Sequence, residues 1–195
     1  MSGSDERTLG LLLRSIPYLS AHRILTVLSP ESGVLSLMAK SHGKGSKQPW
    51  SGLTIPFVLA EWVYHPGKKE ISPLIDGTLI DPLASLKNDY KCLMAAGQIA
   101  QDLLRTQMPG KPAPSAFALA VACLQRLSEF ADPMTLAAVF RLKLLFCEGL
   151  FDPEETRGSL GELARERSFQ ALGARPCNEA LIAEIGALFE ERLGG

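Results

Sequence analysis

The sequence predicts an α+β fold: a small five-stranded β-barrel over residues 1–80, followed by an all-helical domain over residues 81–195. Three observations carry this. Apolar residues alternate at a two-residue period in short runs up to about Leu79. The period changes to three and four residues from Leu83 onward, through Leu86, Tyr90, Leu93, Met94, Gly97 and Leu104. The dipeptide Asp-Pro occurs three times, at Asp81-Pro82, Asp132-Pro133 and Asp152-Pro153. It suits a helix start, because Asp accepts a free backbone N–H and Pro has none to leave unpaired.

The elements follow in order. Thr8 to Ser15 is a first strand with Leu9, Leu11 and Leu13 on one face. His22 to Ser29 is a second, with Ile24 and Leu28 on one face and Leu25 and Val27 on the other. The turn cluster Ser29-Pro30-Glu31-Ser32-Gly33 joins it to a third strand, Val34 to Lys40, as a hairpin. Ala39 to Gly52 reads as a loop rich in Gly, Ser and Lys, and Leu53 to Tyr64 as a long strand in which Pro56 marks an edge or a bulge. After the turn His65-Pro66-Gly67-Lys68, Lys69 to Leu79 gives a fifth strand. Five short strands in this length suit a closed or nearly closed barrel of the OB type. Helices are expected near 82–107, 115–130, 133–148, 153–171 and 178–193, with Gly149 as a C-cap and residues 108–114 as a linker between helices. Phe117, Val121, Leu124 and Phe140, Leu144, Leu145 recur at helical spacing and read as core.

Composition narrows the function. With 46% hydrophobic residues the chain has material for a real core, and a net charge of -1 excludes a polycation, so a nucleic-acid site has to be a local patch. The charge is uneven: eight Lys/Arg against six Asp/Glu through Ile80, then twelve against fifteen. Cys92, Cys123, Cys147 and Cys177 are scattered in apolar, helix-like contexts with no C-x-x-C, which argues for four buried thiols and against a zinc site. Residues 1–8 lack the pattern of a signal peptide, and no apolar run nears the roughly 20 residues that span a bilayer, so the expectation is a cytoplasmic protein. G-x-x-x-x-G-K-[ST], H-E-x-x-H and G-x-S-x-G are all absent, and neither an enzyme nor a cofactor is expected.

The chemistry that stands out is basic and aromatic, between Gly10 and Trp50. Lys40-Ser41-His42-Gly43-Lys44-Gly45-Ser46-Lys47 combines three lysines with glycines that let a backbone approach phosphate. Arg14 and Arg23 fall on neighbouring strands, and Tyr18 and Trp50 offer rings for stacking on bases. The candidate nucleic-acid-binding residues are Arg14, Tyr18, Arg23, Lys40, His42, Lys44, Lys47 and Trp50, with His42 as a pH-sensitive contact. Composition alone reads the lysine loop equally well as a solvated surface loop.

In order and spacing, several short motifs resemble the bacterial RecO family. Gly10-Leu11-Leu12-Leu13-Arg14-Ser15-Ile16-Pro17-Tyr18 is similar to its opening strand; Arg23-Ile24-Leu25-Thr26-Val27-Leu28, Gly33 and Ala39-Lys40 continue it; Pro56-Phe57 fits the next strand. Downstream, Phe140-Arg141-Leu142-Lys143-Leu144-Leu145 with Gly149 and Pro153 looks like the family's Phe-Glu-Leu-x-Leu-Leu helix and the Gly-x-x-Pro after it. The chain departs from the family pattern at Ser20, usually an acid, at Ser41, usually Gly, and at Arg141, usually Glu. Many members carry a four-cysteine zinc module after Gly-x-x-Pro; here that region holds Glu154-Glu155 and only Cys177, so a zinc-less member is expected. The resemblance implies a non-enzymatic recombination mediator. It would bind single- and double-stranded DNA, anneal complementary strands, and act with RecR to load RecA onto DNA coated by single-strand-binding protein. It would work in the bacterial cytoplasm at the nucleoid. A protein–protein adaptor whose barrel has lost DNA binding, and an OB-type RNA binder, are the other two readings.

Overall fold

The computed structural model describes residues 4–19, 22–40, 50, 52–67, 70–156, 158–174 and 177–194. The first part is the expected barrel. Strands β1 (Glu6–Tyr18), β2 (His22–Ser29), β3 (Gly33–Lys40), β4 (Leu59–Tyr64) and β5 (Ile71–Asp81) close in the order β1-β2-β3-β5-β4. All pairs are antiparallel except β3 with β5, which is parallel. The interior is filled by Leu12, Leu25, Val27, Leu37, Ala39, Leu53, Val58, Ala60, Trp62, Leu74 and their neighbours. Trp62 lies fully buried across Gly10: its indole N–H donates to the Gly10 carbonyl at 3.0 Å, and a Cβ on Gly10 would meet the Trp62 ring at 2.9 Å and Val27 at 2.3 Å.

Three details of the first part differ from expectation. Leu11, Leu12 and Leu13 are all buried, so Leu9, Leu11 and Leu13 do not form a single inward face; a register shift between Leu12 and Arg14 interrupts the alternation. The strand expected from Leu53 starts only at Leu59, because the residues before it include Pro56, whose missing N–H ends a ladder, and Phe57 at a φ of 61°. Asp81-Pro82 does not begin a helix: Asp81 ends β5 and accepts the N–H of Leu83 at 2.8 Å.

The chain divides into two compact units, residues 1–84 with 107–117, and residues 85–106 with 118–195. In the first, segment 107–117 is strapped onto the β2–β3 turn. Val34 donates to the Met108 carbonyl at 3.2 Å, Gly110 to Ser32 at 2.9 Å and Ala113 to Pro30 at 2.9 Å. Gly33 sits under this strap at a φ of +66°, and a Cβ there would lie 2.2 Å from the Met108 carbonyl oxygen and 2.4 Å from that of Lys111.

The second unit holds α1 (Ala84–Lys87), α2 (Tyr90–Thr106), most of α3 (Pro114–Arg126), α4 (Pro133–Cys147), α5 (Ser159–Arg165), α6 (Phe169–Gly173) and α7 (Glu179–Leu193). The long helix expected at 82–107 is broken at Asn88-Asp89, where Asp89 accepts from Lys91 N–H at 2.7 Å and restarts the chain as α2. The expected helix at 153–171 is a turn followed by α5 and α6; Asp152 accepts from Glu154 N–H at 2.8 Å, but Glu154 and Glu155 stay in the turn. Asp132-Pro133 does start a helix, with Asp132 accepting from Met134 N–H, and α4 ends at Gly149 through Leu150 N–H to Leu145 and Gly149 N–H to Phe146.

Helix α4 is apolar on nearly all sides and packs against α2, α5 and α7. Among its polar contacts is that of Arg141, which forks onto both oxygens of the fully buried Asp102 on α2, each at 3.0 Å. The same guanidinium lies 4.8 Å from the centre of the Phe189 ring on α7. The arginine that stands where the resembled family carries Glu therefore has a defined partner. Cys92, Cys123 and Cys177 are buried, and burial pushes the Cys123 thiol up to about 12; Cys147 is exposed, against expectation. No helix among the described residues is long and apolar enough to cross a membrane.

Gly33→Ala should destabilise the protein by about 2 kcal/mol or more, since a left-handed backbone and a steric clash with two carbonyls coincide there. Urea denaturation followed by circular dichroism measures this, and an unchanged midpoint would show that the strap yields at no cost.

Candidate nucleic-acid interface

The register of β1, β2 and β3 decides which candidate residues share a surface. Leu12 pairs with Val27, and both fill the interior. Two residues further along β1, Arg14 pairs with Thr26, only one residue from Val27. Because successive strand residues alternate faces, Arg14 has been turned to the outside by this bulge. Ile16 and Tyr18 follow it on the same outer face, opposite Ile24 and His22.

Extending the pairing across β3 gives rows that run over the sheet. The outermost row is Tyr18, His22 and Lys40. Next come Ile16, Ile24, Met38 and Pro73, and then Arg14, Thr26, Ser36 and Ile71. Arg14, Tyr18 and Lys40 are exposed, with Tyr18 at 42% and Ile16 at 40%. None of the residues in these rows is a carboxylate. Among the described residues His22 Nδ1 is buried with no hydrogen-bond partner.

Arg23 does not join this surface. It pairs with Pro17 and Ala39, on the inward row that carries Leu25, and its guanidinium is held at the barrel mouth by the Ser15 hydroxyl at 2.8 Å and carbonyl at 3.2 Å. Trp50 is a correction to the sequence reading. Its ring is only 9% exposed and belongs to the barrel core, and its Nε1–H donates to the Lys40 carbonyl at 2.9 Å. An indole buries readily when its N–H finds an acceptor, so Trp50 positions Lys40 and offers no ring to a base. His42, Lys44 and Lys47 lie outside the described residues.

The far end of the barrel has the opposite character. Beside the β2–β3 turn, the Thr8 and Ser29 hydroxyls lie 2.7 Å apart and both reach Glu31 Oε2, at 2.9 and 3.2 Å. Tyr64 donates to Glu6 at 2.6 Å, and Asp5 meets His65 at 3.0 Å. Burial first, and the Glu6 carboxylate next, push the Tyr64 phenol up to about 12. Acids therefore gather where β1 begins and cations where it ends.

This arrangement can be set beside known proteins. The family model described as "Recombination protein O N terminal" matches residues 1–83, the whole barrel. Over 143 residues the chain is 32% identical to the DNA repair protein RecO of Chlamydia pneumoniae, and the match covers 73% of this chain. The chain belongs to the RecO family. The RecO of Chlamydia muridarum is 31% identical over the same length, and that of Desulfitobacterium hafniense 31% identical over 140 residues. The matches cover 56%, 60% and 48% of these three relatives, so the chain spans about half to three fifths of the curated RecO proteins it matches.

The row residues Ile16, His22, Ile24 and Met38 were not singled out by sequence reasoning. Strict alternation continued from the inward Leu12 would turn Ile16 inward too, and only the bulge brings it into line with Ile24 and Met38.

A phenol raised from about 10 to about 12 stabilises the fold while it stays neutral. That contribution is complete below about pH 10 and lost as pH rises through 12. Ultraviolet titration should show a phenol ionising near pH 12 that is missing from Tyr64→Phe, and the same variant should flatten the fall in stability over that window. A titration near pH 12 that Tyr64→Phe leaves unchanged would contradict the Tyr64–Glu6 contact.

Proposed function

We propose that this RecO family member binds DNA on the outer face of its barrel, at the end marked by Arg14, Tyr18 and Lys40, and acts as a non-enzymatic mediator of DNA repair and recombination. The observation that carries the proposal is the register-aligned face, with cations and an aromatic exposed together and no carboxylate among them. The acidic far end supports it by repelling phosphate there, which confines the strand to the other end. Lys44, Lys47 and His42, which follow Lys40 in the sequence, would add further contacts to DNA, and Arg23 would add charge at the barrel mouth.

Annealing is physically consistent with such a surface. Screening two anionic strands lowers their repulsion and needs no nucleotide fuel. By its family the protein would act with RecR on DNA coated by single-strand-binding protein and promote RecA loading, in the cytoplasm of a bacterial cell. An adaptor reading is favoured by one observation on the helical unit. Phe146 is 52% exposed and lines two clefts of about 550 and 420 Å³, a feature suited to a protein partner.

Binding to a fluorescent single strand across a salt series tests the proposal. About four phosphate contacts give a log–log slope near -3 on single strands, and Arg14→Glu with Lys40→Glu should make it shallower by about 1.4 and weaken binding at least about tenfold. An unchanged slope would remove the strand from this face, and no binding at low salt would leave the adaptor reading.

A further inference from the structure

We infer that the outward face of α2 is a self-association surface, on which a second copy of this chain docks antiparallel with the two helices crossing at Gly97. The inference stands apart from the DNA-binding reading and rests on the helical unit alone. Helix α2 turns Ala95, Ala96, Ile99 and Leu103 into the core of that unit. On the other side Tyr90, Leu93, Met94, Gly97 and Leu104 fall at three-, four- and seven-residue steps, which aligns them as one stripe. Tyr90 is 75% exposed and Met94 52%, and Leu93 is exposed beside them. A helix that already buries one apolar face gains nothing by holding a second in water, and such a surface marks a contact. Gly97 lies in the middle of the stripe, and a Cβ there would meet nothing within 4 Å. The copy's own packing therefore does not call for glycine, which costs a helix interior stability, whereas a second backbone crossing at that point does.

The charges beside the stripe and its spacing name the occupant. The one acid of α2, Asp102, is fully buried, while Lys91 is exposed at the N-terminal end. At the C-terminal end stands a carboxylate from α7, the exposed Glu190, which Arg105 holds at 2.6 and 2.8 Å. Lys91 and Arg105 lie two heptads apart, so both are on one flank of the stripe. A two-fold axis at Gly97 sets equal flanks together with their directions reversed. Each Lys91 then reaches the end where the other copy carries Glu190, and the opposed helix dipoles add to the attraction. Tyr90 and Leu104 are each seven residues from Gly97, so the ring of one copy packs on the leucine of the other at both ends. A parallel pair would set Lys91 against Lys91 and Glu190 against Glu190. The 17 residues of α2 make a contact about 25 Å long. That length gives an interface at the low end, below about 1,200 Å² in total, which suits a reversible pair.

The test is sedimentation equilibrium of the full chain over a wide concentration series, with no nucleic acid present. The average mass should rise from one copy toward two. Gly97→Arg and Gly97→Glu each set like charges against one another across the axis, and each should weaken association at least about tenfold. Both should keep or raise the thermal midpoint, because the position is open and glycine is the poorer helix former. An equimolar mixture of the two variants should associate more tightly than either alone, since only there do opposite charges meet at the axis. A single copy at every concentration overturns the inference and leaves the face to a different partner. Association that both variants keep in full, or a mixture no tighter than its components, overturns it too by moving the contact away from Gly97. Because the measurement holds no DNA, its result is independent of the DNA-binding reading.

Discussion

The register shift between Leu12 and Arg14 in the β1–β2 pairing is the constraint on which the binding face depends. A strand has only two faces, so one extra residue exchanges them for everything that follows. Before the shift, Leu12 points into the barrel against Val27; after it, Ser15 points inward opposite Leu25, while Arg14, Ile16 and Tyr18 point outward. With an unbroken ladder, a guanidinium, an isoleucine and a tyrosine would crowd the barrel mouth and Ser15 would sit outside. The bulge also gives Arg23 its place, since the Ser15 it bonds is on the inward row only because of the shift.

The rest of the barrel holds this face steady and keeps its charge from being cancelled. Trp62 closes over Gly10 from within, and the turn between β2 and β3 is tied by Thr8, Ser29 and Glu31 and strapped by segment 107–117. These contacts are at the far end, where the carboxylates Glu6 and Glu31 find hydroxyl donors in Tyr64 and Thr8 rather than the cations of the binding end. Lys40 is fixed at its backbone by the Trp50 indole while its side chain remains exposed. In the helical unit the same economy appears at Asp102, a buried charge answered by the fork of Arg141. Breaking such a pair costs far more than the pair itself contributes.

Much of this was legible in the sequence, and the misses have physical causes. Turn chemistry at residues 29–33 located the hairpin, and the change of period near Leu83 separated strands from helices. Asp132-Pro133 and Gly149 bounded α4 because cap chemistry is local. Asp81-Pro82 and Asp152-Pro153 misled because Asp serves turns as readily as helix starts. The outer face was half legible. Arg14, Tyr18 and Lys40 stood out by type, but Ile24 and Met38 look like ordinary alternating strand residues until pairing partners are known. Trp50 was misplaced because its fate depends on the Lys40 carbonyl, ten residues away, which no local pattern reveals.

The most direct test of the central claim, that the bulge-defined face carries the strand, is a backbone amide chemical-shift map of the isotope-labelled chain titrated with oligothymidylate. The account predicts that the largest changes fall on Arg14, Ile16, Tyr18, Ile24, Met38 and Lys40, with Glu6, Glu31 and Ser32 at the far end unmoved. Changes centred on the β2–β3 turn, or on the inward-row neighbours of Ser15 with the outer row silent, would contradict it.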